Sequence, residues 1–67
     1  MRTIDVVIYQ DEDQWVAQAL NVDVSSFGDS PEDAREAIRE ALHLFFEDED
    51  SVDVHEARDP RVERVTI

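Results

Sequence analysis

One hexapeptide does most to decide how this chain can fold. Gly28-Asp29-Ser30-Pro31-Glu32-Asp33 contains the only glycine and one of the two prolines. Ser30 suits the N-cap, where a hydroxyl accepts from an orphan amide of the first helical turn. Pro31 suits the first helical position, where its missing N–H costs nothing. Glu32 and Asp33 complement the positive end of the helix dipole. Ala34, Ala37, Ile38, Ala41, Leu42 and Phe45 then recur at helical spacing. Glu32–Arg35 and Glu36–Arg39 fall at i,i+3 on other faces. The spacing predicts a helix over residues 31–47. At its end, Glu47-Asp48-Glu49-Asp50 sets four acids at the negative pole of the dipole, which favours fraying.

Before the hexapeptide the apolar period shortens to two. Thr3–Tyr9 alternates Ile4, Val6 and Ile8 against Asp5, Val7 and Tyr9, and its β-branched content favours a strand. Gln10–Gln14 is a polar break long enough for a hairpin loop. Trp15–Leu20 reads as a second strand, with Trp15, Ala17 and Ala19 opposite Val16, Gln18 and Leu20. Both of its faces carry apolar groups, so the pattern does not orient it. Val22–Phe27 reads as a third strand, and short joints make the three an antiparallel meander. After the helix, Val52 and Val54 alternate, Asp59-Pro60 signals a turn, and Arg61–Ile67 reads as a fourth strand. The expected class is α+β, in the order β-β-β-α-β, with a single helix covering one sheet face.

Residues 1–67 are expected to form a single domain with a thin core, since a chain of this length buries only about 60% of its unfolded surface. There is no cysteine, hence no disulfide staple and no thiolate zinc site. Self-association is the expected route to added stability. Eighteen acids against six arginines and no lysine give a formal net charge of −12. Binding to phosphate backbones or an anionic membrane surface is thereby disfavoured, and a basic protein partner is favoured. High-salt adaptation is a second reading of the same acidity, compatible with the first. No apolar run reaches membrane-spanning length, and Asp5 interrupts what would be a signal peptide's apolar stretch. The expected location is cytoplasmic.

Chemistry-bearing motifs are sparse. One glycine cannot build a phosphate loop, and neither G-x-S-x-G nor H-E-x-x-H is present. His43 reads as a helix-face residue suited to the dipole. Neither Asp11-Glu12-Asp13 nor Glu47-Asp48-Glu49-Asp50 has the spacing of an EF-hand loop. Asp5 with Glu36 or Glu40 could pair as carboxylates of a vestigial metal-dependent nuclease, but such a nuclease needs a basic track that this chain lacks. No enzyme activity, catalytic residue, cofactor or metal is expected. A single helix leaves one sheet face showing some of Val7, Tyr9, Trp15 and Phe27, which suggests a partner surface. The candidate partner-binding residues are Tyr9, Trp15, Phe27, Glu47 and Asp48.

Asp11-Glu12-Asp13-Gln14-Trp15-Val16-Ala17, then Gly28-Asp29-Ser30-Pro31-Glu32-Asp33-Ala34, then Ile38, Glu40-Ala41-Leu42 and Leu44-Phe45, follow one another in an order that resembles the HicB-like antitoxin family. Two features depart from the family. Leu20-Asn21-Val22-Asp23-Val24 replaces the usual Leu-Pro-Gly-Cys-like turn, and the length leaves no space for the DNA-binding domain that many members append. The resemblance implies a partial RNase H-like fold without its catalytic set. It implies a role in binding and silencing a small basic mRNA-cleaving toxin of the HicA type, and homodimers or larger assemblies. The alternative is a stand-alone structural or regulatory interaction domain with another protein partner.

Overall fold

The computed structural model describes residues 3–48 and 56–67. The described residues form three strands and one helix: β1 (Val6–Asp11), β2 (Gln14–Ala19), β3 (Ser25–Gly28) and α1 (Pro31–Asp48). These strands form one antiparallel sheet in the order β1-β2-β3, so among the described residues β2 is central and its two neighbours are edges. This is the α+β meander with a covering helix that the alternating pattern and the capped helix predict.

Register fixes which side chains share a face. Val6 pairs with Ala19, Ile8 with Ala17 and Gln10 with Trp15, while Trp15 and Ala17 pair across with Gly28 and Ser26. Successive residues alternate across a strand, so these positions share the side on which α1 packs. The core there is Ala17, Ala19, Ala34 and Ile38, with Ile4, Val6, Ile8, Trp15, Val22, Val24 and Leu42 packed around it. Three alanines among its four central residues let helix and sheet approach closely. The contact is close at Gly28, where an added Cβ would stand 2.5 Å from the Ala34 backbone nitrogen. α1 lies chiefly over β3 and β2 and only marginally over β1.

The helix starts as its cap dictates. Ser30 Oγ accepts from the Asp33 N–H at 3.1 Å, and the Ser30 carbonyl accepts from the Ala34 N–H at 3.0 Å. Of the two expected i,i+3 pairs, Arg39–Glu36 is closed at 3.4 Å. Despite the acids that follow, helical structure reaches Asp48.

Element boundaries differ from expectation: β1 starts at Val6, not Thr3, β2 ends at Ala19, not Leu20, and three further differences have local causes. The polar run 10–14 is mostly strand: Gln10 and Asp11 complete β1, Gln14 opens β2, and only Glu12 and Asp13 turn. Glu12 adopts a φ of 57°, the left-handed conformation that a two-residue hairpin loop demands. A ladder needs only backbone groups, so exposed polar residues extend it without loss. The third strand begins at Ser25, not Val22, because residues 20–23 bend around a buried Asn21. Asn21 Oδ1 accepts from the Asp5 N–H at 2.8 Å, and the Leu20 N–H donates to the Asp5 carbonyl at 2.9 Å. Finally, the fourth strand expected at Arg61–Ile67 forms no ladder, and Val62, Val65 and Ile67 are exposed. Alternation equips a segment for a sheet, but a strand exists only where an edge receives it. Val52 and Val54 lie outside the described residues.

Candidate partner-binding face

The sheet face turned away from α1 is built by the other half of each strand's alternation. β1 contributes Val7, Tyr9 and Asp11; β2 contributes Gln14, Val16 and Gln18; β3 contributes Ser25 and Phe27. Tyr9 pairs directly with Val16, and Val16 directly with Phe27. One apolar row therefore crosses all three strands. Its centre, Val16, is only 8% exposed, while the flanking rings of Tyr9 and Phe27 are 46% and 61% exposed. Cross-strand aromatic and β-branched neighbours pack on one another and stiffen such a row.

The charge on this face is as telling as its rings. Asp11 is the one ionised side chain among those strand positions, in a chain of which 36% is charged. Gln18 turns its amide inward, with Nε2 donating to the Ala19 carbonyl at 3.1 Å and to the Val24 carbonyl at 3.3 Å. The face thus presents a nearly neutral aromatic centre within an acidic surround. Depletion of charge and enrichment in aromatic residues mark the centres of protein interfaces.

The candidate residues separate into groups. Tyr9 and Phe27 belong to the row. Trp15 lies on the opposite side, half-buried against the core beneath α1, and is not part of this face. Glu47 is exposed near the end of α1, its Oε2 3.8 Å from His43 Nε2, and Asp48 is the last helical residue. Both are on the helix, across the sheet from the row. Val7, expected on the uncovered face, and Val16 complete it; Val16 was missed because the second strand had no orientation from pattern. A usable signal was present in side-chain size: a helix seats closely on alanines, so Ala17 and Ala19 belong beneath it and Val16 beyond.

The carboxylates of the nuclease alternative are dispersed. Alternation puts Asp5 on the side of Val7 and Tyr9, whereas Glu36 and Glu40 are exposed on α1. Among the described residues no three His, Asp or Glu side chains converge as a metal-ligand set. No helix among them is long and apolar enough to cross a membrane. Comparison of the chain with known protein families, with curated proteins and with solved structures finds no match.

Proposed function

We propose that this chain is a binding protein that neutralises a small basic mRNA-cleaving protein of the HicA type, as its HicB-like pattern of motifs implies, by covering that protein's working surface. The observation that carries the proposal is the Tyr9–Val16–Phe27 row. It is an exposed, nearly uncharged aromatic centre in a chain whose net charge is −12. The acidic surround accelerates encounter with a basic partner, and the rings supply the buried anchor once contact is made. Glu47 and Asp48, remote from the row, act on the rate of encounter. On this proposal the chain works by occupancy alone, with no catalytic residue, cofactor or metal, and from the cytoplasm.

The test uses the product of an adjacent reading frame encoding a short Lys/Arg-rich protein. Its cleavage of RNA is measured with and without this chain. Inhibition at near-equimolar ratio is expected, with Phe27→Glu and Tyr9→Glu each weakening it about tenfold or more, as for hot-spot positions. Leu44→Glu, an exposed position on α1, should leave inhibition intact. Cleavage that proceeds unchanged at saturating chain, or a Phe27→Glu chain that inhibits fully, would overturn the proposal.

A further inference from the structure

Among the described residues no strand pairs with the outer edge of β1, and α1 gives it little cover. Because the Leu20 N–H bonds to the Asp5 carbonyl, the polar groups of Asp5, Val7 and Tyr9 face β2. Those of Val6, Ile8 and Gln10 therefore point out from the free edge. α1 is displaced toward β3 and leaves Val6 and Ile8 only half-buried. A cleft of about 270 Å³ runs along this edge, lined by Asp5, Val6, Ile8 and Leu20 and, from the C-terminal segment, by Pro60 and Val62.

The C-terminal segment is the converse object. Arg61–Ile67 is rich in β-branched residues, alternates as a strand would, and joins no ladder. Val62, Val65 and Ile67 are 84%, 79% and 115% exposed. The backbone turns at Asp59, with φ 48°; residues 60–62 line the cleft and residues 63–67 do not. Its charge is also the reverse of the rest of the molecule. Three of the six arginines, Arg58, Arg61 and Arg64, fall in the last ten residues, against only Asp59 and Glu63. Their described ion pairs, Arg58–Glu56 at 3.3 Å and Arg61–Glu63 at 3.6 Å, stay within the segment. β1 carries acids at both ends, Asp5 at one and Asp11, Glu12 and Asp13 at the other.

We propose that the free edge of β1 is the docking site for Arg61–Ile67 of a second copy of this chain, exchanged reciprocally. Among the described residues each copy holds both an edge and a strand-like segment that join no ladder, of complementary charge. A two-fold pair satisfies both at once and closes, leaving neither a vacant β1 edge nor a free arm to recruit a third copy. The arms cross where they leave their own clefts, and the distal residues of each lie along the partner's β1. The arm, with Arg61 and Arg64 against Glu63, is a part of so acidic a chain that another copy attracts. This inference is independent of the antitoxin proposal, and either can fail alone.

Because the chain has no cysteine, cross-linking can be directed. Gln10→Cys and Thr66→Cys are placed in separate chains, mixed, and treated with a bis-maleimide. A covalent pair joining the two positions is expected, together with a dimer in sedimentation of the unmodified chain. Val65→Pro and Thr66→Pro are then compared. Adjacent N–H groups point to opposite edges, so one of the two variants must remove a docking hydrogen bond and weaken dimerisation roughly tenfold or more. Both positions are exposed, and circular dichroism should show the fold unchanged. A monomer at every concentration overturns the proposal. So does a dimer indifferent to both prolines but split by Phe27→Glu, or a doubly substituted chain that cross-links only within itself.

Discussion

Gly28 does not have a positive φ, so its own backbone does not require glycine. What requires it is the helix opposite: an added Cβ would stand 2.5 Å from Ala34 N, 2.6 Å from Asp33 C and 2.6 Å from Asp33 Cβ. Two of these are backbone atoms of the first turn of α1 and cannot swing aside. Gly28→Ala should therefore cost about 1–3 kcal/mol by overpacking, read as a lowered melting temperature. Ser30→Ala should cost about 1 kcal/mol through loss of the bond from the Asp33 N–H. Asn21→Leu tests a role with no signature in the sequence. Its Oδ1 accepts from Asp5, sixteen residues earlier, and fastens the entry to β1. Leucine leaves that N–H unsatisfied, at about 1–3 kcal/mol. A melting temperature equal to the parent's would show that water or another acceptor replaces the amide.

At the scale of elements, α1 buries a narrower stripe than its apolar spacing suggests. Ala34 and Ile38 are buried, while Ala37, Ala41, Leu42 and Phe45 are half-buried at its margins. Ala34→Asp should abolish cooperative unfolding, because the carboxylate meets the β2 alanines with no partner. Ala41→Asp should only lower the melting temperature, and equal damage from both would mean a wider buried face. The start of this helix was legible because Gly28, Ser30, Pro31 and Glu32 agree on one boundary, each for a separate local reason. The three-strand meander was legible from alternation. The orientation of β2 was not, since Val16 and Ala17 are both apolar and only tertiary contact separates them. That ambiguity grouped Trp15 with Tyr9 and Phe27, from which the sheet divides it. The hairpin closes on two residues, not five, because ladder bonds do not read side chains. Arg61–Ile67 has a strand's composition, and composition cannot supply a neighbour.

Across the whole molecule, repulsion among eighteen acids is opposed by few strong pairs. Every described ion pair is solvent-exposed, and such pairs contribute little. Added salt shortens the reach of repulsion from about 30 Å at 0.01 M to about 3 Å at 1 M. The free domain should therefore melt higher as NaCl rises, while association with a basic partner slows because steering is screened. A melting temperature that falls with salt would show that local arginine–carboxylate pairs outweigh global repulsion. The off-centre seat of α1 has a separate consequence, in time. β2 is held by ladders on both sides and by the helix above it, β3 by one ladder and the helix, and β1 by little more than one ladder. The sheet should open from the β1 side first, without global unfolding. In deuterated buffer the Val7 and Tyr9 amides, although bonded toward β2, should exchange well before those that join β2 to β3. The slowest amides should be those of β2 and the buried turn of α1 around Ile38. Uniform protection across the three strands would mean that the domain opens only as a unit.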